Sequence, residues 1–192
     1  MPLIVEDGTM PAGANSYASL SDADAYLVPR SLWPETPQDD AAMVTRKESA
    51  LMRATDYLNT LSWVGVVEDW QRTMSWPRAE VPIPRGKGFG FVPGDVVPKA
   101  VGIACMEMAA LIFSGTDPLA TVERGGMVTS ESHSKTVGGV DVIEGDSTSD
   151  SYTYASGAPS ETYYPQLRGV EPFLLVIPGK ARGLSVVGVG RG

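Results

Sequence analysis

The sequence predicts a mainly α protein: a small helical bundle with long loops, an appended β-hairpin and extended N- and C-terminal arms. Three observations carry that prediction. Val44, Leu51 and Leu58 recur every seven residues, with Ala54, Tyr57 and Leu61 on the same face, the stripe of an amphipathic helix. Val97-Pro98 opens the apolar run AVGIACMEMAALIF, which ends at Ser114-Gly115. After Pro118 the pattern turns from helical to alternating.

Taken in order, residues 1–18 read as an extended arm, with Leu3-Ile4-Val5 apolar and Asp7-Gly8 a turn signal. Ser19-Leu-Ser-Asp22 fits a capping box, so a short helix should follow from Leu20 to Leu27 and stop before Pro29. The second helix is expected from near 37 to 61, capped by Thr36, with Pro37 at its first position and Asp39 in its first turn. Its outer face should show Arg46, Lys47, Arg53 and Asp56 to solvent or a neighbour. Pro77, Pro82, Pro84 and Pro93 exclude a long helix from 62–96, which should be mostly loop. The third helix starts with Pro98 at its first position and runs to Ser114, where Gly115 stops it. Being apolar almost all round, it is the central helix, and Gly102 and Ala109 would let a partner helix approach closely.

Met127–Ser132 and Thr136–Ile143 read as two strands joined around His133 to Lys135. The Ser, Thr, Gly and Asp-rich stretch 145–162 should be flexible, and 166–176 should hold a short helix interrupted at Pro172. The terminal GKARGLSVVGVGRG has too much glycine to fold alone and reads as an arm that orders against a partner, or as simple disorder. No internal repeat is present. The expected domains are a helical core with its N-terminal arm (1–120), a hairpin with a flexible acidic loop (121–162), and a short helix with an extended tail (163–192).

Composition narrows the function. The chain has 192 residues, 43% of them hydrophobic, with 21 Gly and 15 Pro, which suits one globular domain with much turn and loop. Fifteen Lys and Arg against 23 Asp and Glu give a net charge of −8. An acidic chain is a poor generic binder of nucleic acid, whose phosphates are held by Lys and Arg. The bases are nevertheless local: Arg72, Arg78, Arg85 and Lys87 stand against the single acid Glu80 in 70–94. Lys180, Arg182 and Arg191 stand without an acid in the last seventeen residues. The lone Cys105 excludes an intrachain disulfide and suits a reducing compartment. The opening MPLIVEDGTMP has no secretory pattern, and no run is long enough to span a bilayer.

Catalytic signals are weak. His133 is the only histidine, placed at the expected hairpin tip, and no G-x-S-x-G occurs. Cys105 reads as a buried, inert thiol. Asp141, Glu144, Asp146 and Asp150 cluster without the spacing of an EF-hand, so a solvated acidic loop is expected and no metal site. Lys87-Gly-Phe-Gly-Phe-Val92 copies the first six positions of the RNP1 signature of RNA-recognition modules. The match then fails, because Gly94 replaces the last aromatic and Pro93 would remove a ladder donor. A partner strand would also fall at 55–62, which is helical, so a glycine-rich surface loop with two pinned aromatics is expected. The same segment is no phosphate loop, since Gly88 follows Lys87. Trp63, Trp70 and Trp76 with Arg72 and Arg78 could form a single-strand-binding surface. The expected reading is that Trp63 and Trp76 pack the loop onto the helices.

Several segments in order carry a resemblance: Ile4-Val-Glu-Asp-Gly-Thr9, Ala14-Asn-Ser-Tyr17, Asp22-Ala-Asp-Ala-Tyr26, Ala50-Leu-Met-Arg-Ala-Thr-Asp-Tyr-Leu58, the Trp63-to-Arg78 stretch, and Val97-Pro98. This order resembles a group of phage and prophage proteins labelled DnaT-like single-stranded-DNA-binding protein, a group also similar to head–tail connector adaptors. The resemblance covers the first 115 residues well and the hairpin loosely. Between the two roles it implies, net charge favours the adaptor, since an acidic ring repels the DNA sliding through it. The expectation is therefore a structural virion protein without catalysis, cofactor or membrane contact, assembled in the host cytoplasm and resident in the virion neck. It would form a homo-oligomeric, dodecameric ring between the portal protein and a tail-completion stopper or tail-terminator, with double-stranded DNA passing unbound. The resemblance implies portal docking by the tail, through Arg182, Leu184, Val186, Val187, Val189 and Arg191. Arg72, Arg78, Arg85 and Lys87 are expected to face DNA or a neighbouring subunit. The alternative is a single-stranded-DNA-binding replication accessory protein, and an enzyme is the third reading.

Overall fold

In the computed structural model, residues 2–37, 40–67, 69, 71–120, 128–136, 147–154 and 163–178 are described, the two strands by backbone alone. The chain divides into two units, one of residues 1–120 with 163–178, the other of 121–162 with 179–192.

The first unit is built on three helices: α1 (Leu20–Leu27), α2 (Ala41–Asn59) and α3 (Lys99–Phe113). Helix α1 starts where its capping signal lies. Ser19 Oγ accepts from the Asp22 amide at 3.0 Å, filling one of the amide positions a helix start leaves open. Helix α2 begins at Ala41, later than the sequence suggests, because Asp40 caps it by accepting from the Met43 amide at 2.9 Å. Thr36 is engaged elsewhere: its hydroxyl donates to Asp24 at 3.0 Å and accepts from Lys47 at 2.7 Å.

The buried stripe of α2 is Lys47, Ala50, Leu51, Ala54, Thr55, Tyr57 and Leu58. Lys47 corrects the expectation that it faces outward, for its side chain is 0% exposed. Its ammonium spends three protons on Asp24 (2.7 Å), Thr36 Oγ1 (2.7 Å) and the Pro34 carbonyl (2.6 Å), and stands over the Trp33 ring. A buried charge is tolerable only when paired and hydrogen-bonded in this way. Burial works to raise the Asp24 carboxyl, but the donors Lys47, Trp33 and Thr36 outweigh it and hold the group below the usual carboxylate range.

Helix α3 packs against α2, with the Thr55 hydroxyl 3.4 Å from Cys105 Sγ and the thiol directed at the Leu51 carbonyl. Burial pushes the Cys105 thiol up, which keeps it protonated and inert. Pro98 is the residue before the first turn, one position earlier in the helix numbering than expected. The close approach at Gly102 is made by the Tyr17 carbonyl, which a Cβ there would meet at 3.4 Å, and not by a partner helix.

That contact reflects a larger correction. The N-terminal segment is no free arm. Ala14, Ser16, Tyr17 and Ala18 are buried, and Glu6 is buried with them. The Glu6 amide donates to the Ser16 carbonyl at 2.8 Å, and the Tyr17 hydroxyl donates to Asn59 Oδ1 at 2.6 Å while accepting from the Trp76 amide. The extended backbone of this segment is satisfied inside the unit, which is why polar residues such as Ser16 and Glu6 are at home there.

Residues 163–178 also belong to the first unit. They form two 3-10 turns, Pro165–Gly169 and Glu171–Phe173, in place of the short helix expected over 166–176. Leu167, Val170, Phe173 and Leu174 enter the core. Trp76 is the keystone, edge-on to Trp63 at 5.6 Å and to Phe173 at 5.8 Å.

In the second unit, β1 (Val128–Thr136) pairs antiparallel with β2 (Ser147–Tyr154). The expected second strand at Thr136–Ile143 is thereby corrected: the partner strand falls at Ser147–Tyr154. His133 sits mid-strand in register with Asp150, not at a tip. Ser130, Ser132 and Ser134 are in register with Thr153, Ser151 and Ser149. Asp141, Glu144 and Asp146 lie outside the described residues, as does the terminal arm.

Candidate nucleic-acid interface

The four cations singled out between 70 and 94 separate into two pairs with different fates. Arg72 and Arg78 are structural. Arg72 Nη2 donates to Glu6 Oε2 at 2.9 Å, the two side chains being 14% and 1% exposed. The other Glu6 oxygen accepts from the amides of Gly8 and Met10, so this carboxylate ties the N-terminal turn to the 71–74 loop. Arg78 donates to four carbonyls, those of Trp63, Val64, Gly65 and Ser75, at 2.7–3.4 Å. Burial pulls its pKa down from the ordinary value. The expectation that these two arginines face DNA or a neighbour is corrected: both fasten loop to loop, Arg72 through Nη2 while its Nη1 is buried without a hydrogen-bond partner among the described residues. Trp63 and Trp76 are buried between them, as packing predicts, and Trp70 lies outside the described residues.

Arg85 and Lys87 have the opposite environment. Both are exposed and neither side chain is paired among the described residues. They sit at the apex of an arch from Val81 to Val92 whose two limbs are joined by hydrogen bonds. The Val92 amide donates to the Val81 carbonyl at 2.8 Å, the Ile83 amide to Gly90 at 3.0 Å, and the Lys87 amide to Pro84 at 3.0 Å. The last bond closes a turn over 84–87 in which Gly86 has φ +86°, the left-handed third position that favours glycine. At the foot of the arch Val81 is fully buried, and Val66 and Ala79 exchange two backbone bonds of 2.9 Å.

Gly65 makes that anchoring possible. A Cβ on it would stand 2.4 Å from the Ala79 carbonyl oxygen and 2.6 Å from a Val81 methyl, and its φ is +84°. The arch is therefore clamped at its base by close backbone packing and held open at its apex by a defined turn.

On the return limb stand Phe89 and Phe91, with relative exposures of 104% and 66%. The sequence suggests two pinned aromatics here, and that is corrected. The flanking Gly88 and Gly90 offer no side chains to cover the rings, and Phe89 shares a shallow concavity with Arg85, Ile83 and the three glycines 86, 88 and 90. Leaving a phenyl ring wholly in water sacrifices about 2 kcal/mol of burial, so such a ring awaits a partner. No acid occurs from 81 to 94. Two exposed aromatic rings and two unpaired cations on a firm projection can stack on unpaired bases and meet their phosphates. The RNP1 resemblance falls on these same side chains, but in another fold: residues 55–59 are helical.

The portal-docking set Arg182, Leu184, Val186, Val187, Val189 and Arg191 lies outside the described residues. No curated protein and no solved structure matches the chain. A family model does: the family described as "Putative DnaT-like ssDNA binding protein" matches residues 1–185. This finding overturns the adaptor expectation, and with it the dodecameric ring, the portal and tail-completion partners and the unbound double-stranded DNA. The reason lies in the charge argument that favoured the adaptor. A net charge of −8 is a sum over the chain, whereas binding depends on the cations that are free at one place.

Proposed function

The chain belongs to the family of DnaT-like single-stranded-DNA-binding proteins, and from that premise we propose that it binds single-stranded DNA at the apex of the 81–92 arch. Phe89 and Phe91 stack on bases, and Arg85 and Lys87 neutralise the adjoining phosphates. The protein acts by binding and not by catalysis. The observation that carries this reading is the complete exposure of Phe89 beside Arg85 on an arch whose foot is buried. A ring so placed is useless to the core and available to a base. A duplex hides its base faces in its own stack, so the same apex has little purchase on double-stranded DNA beyond two phosphate contacts.

The test is a fluorescence-anisotropy titration of a labelled oligothymidylate with the full chain, at low and moderate salt. Binding of the single strand at least about fivefold tighter than of a duplex is expected, since one lost stacking contact is worth about 1–3 kcal/mol. Equal affinity for the two forms, or no binding to either, would overturn the proposal.

A further inference from the structure

Resting on the reading above, we infer that the apex accepts single-stranded RNA as readily as single-stranded DNA and is nearly indifferent to base identity. The argument comes from what the apex lacks. Residues 82–91 are Pro, Ile, Pro, Arg, Gly, Lys, Gly, Phe, Gly and Phe. No side chain among them carries a hydrogen-bond acceptor. A 2′-hydroxyl is distinguished by a protein group that accepts its proton or donates to its oxygen in a fixed place. The only side-chain donors here are the ends of Arg85 and Lys87, long, exposed and unpaired among the described residues, and phosphate competes for both.

Base identity is read in the same currency. Adenine and cytosine each offer an exocyclic amino group that asks for an acceptor, and none is present in these side chains. Paired acceptors suit side chains made of donors alone, and in an unpaired strand both guanine (O6 and N7) and cytosine (O2 and N3) present them, so a mild preference for these two bases is the bias this chemistry allows. A phenyl ring stacks on any base, whatever sugar carries it. Glycines at 86, 88 and 90 leave the rings and backbone without neighbouring side chains that could sterically exclude a 2′-hydroxyl, and a Cβ at Gly86 or Gly90 would meet nothing within 4 Å.

The experiment compares labelled dodecamers of deoxyuridine and uridine, which differ only at the 2′ position, by anisotropy titration with the full chain and with Phe89→Ala. The two dodecamers are expected to bind within about fivefold of each other, no more than one typical hydrogen bond is worth. Phe89→Ala should weaken both by the same factor, about fivefold to a hundredfold for a lost stacking contact. Deoxyuridine binding with uridine more than fivefold weaker would overturn this inference while leaving DNA binding intact. Uridine binding unchanged by Phe89→Ala would also overturn it, since RNA would then be held elsewhere. If neither dodecamer bound, the function proposed above would fall together with this inference.

Discussion

Lys47 and Lys87 carry the same charge and have opposite uses. Lys47 has its three protons on Asp24, Thr36 and Pro34 in the interior. Its replacement by Met should lower stability by about 3 kcal/mol, the lower end for breaking a buried pair, because Asp24 keeps 30% of its side-chain surface exposed and is partly rescued by water. Calorimetry should show the corresponding fall in Tm, and Asp24→Asn in the same chain should restore part of it. Asp24 also sets an acid limit. A carboxyl held low in the fold stabilises above its unfolded value and stops doing so as pH falls through its folded value. Its contribution should therefore be intact at pH 5 and lost below about pH 3.9, and Asp24→Asn should flatten that part of the pH profile. Among the described residues Lys87 touches no group that fixes it, so Lys87→Gln should leave Tm unchanged. The same substitution should reduce the salt dependence of single-strand binding by about 0.7 in the logarithmic slope. An unaltered slope would remove Lys87 from the interface.

At the scale of the element, the 81–92 arch works because its foot is fixed. Gly65 admits the Ala79 carbonyl and the Val81 side chain at distances no other residue permits, and Arg78 binds the carbonyls of Val64 and of Gly65 itself. Gly65→Ala should cost about 2 kcal/mol from its left-handed backbone and the clash together, and should weaken DNA binding although it lies outside the apex. Amide exchange at Val92 and Ile83, whose bonds join the limbs, should quicken in that variant. Unchanged exchange there, with binding lost, would disconnect the foot from the apex. The 3-10 turns at 165–173 play the complementary part from the other side, pressing Phe173 on Trp76 and so holding the loop that leads to the arch.

For the whole molecule, the balance of −8 and a two-cation apex make single-strand binding electrostatically thin. A logarithmic salt slope of about −1.4 is expected from two neutralised phosphates, far shallower than that of a basic binder. Stacking must then supply most of the affinity, and Phe89→Ala with Phe91→Ala should abolish measurable binding at moderate salt without moving Tm. A steep slope would point to cations outside the arch.

Local signals in the sequence determined the three helices: a capping box for the first, a repeating apolar stripe for the second, and an apolar run between Pro98 and Gly115 for the third. The heptad through Val44, Leu51 and Leu58 and the apolar run after Pro98 could hardly be read otherwise. The cap at Ser19 was legible for the same local reason. Spacing alone puts Lys47 on the stripe, three residues after Val44 and four before Leu51, but it could not say that a charge is tolerated there, because its acceptors come from residues 24, 34 and 36 and only folding brings them together. Nor could it show that residues 3–18 and 163–178 close the core, since their polar partners are distant in the chain. The four cations of 70–94 look alike as letters. Which two are spent on carbonyls and a buried carboxylate, and which two remain free beside bare aromatic rings, is decided by the tertiary structure, because a charge is available to a ligand only where the fold has not already neutralised it.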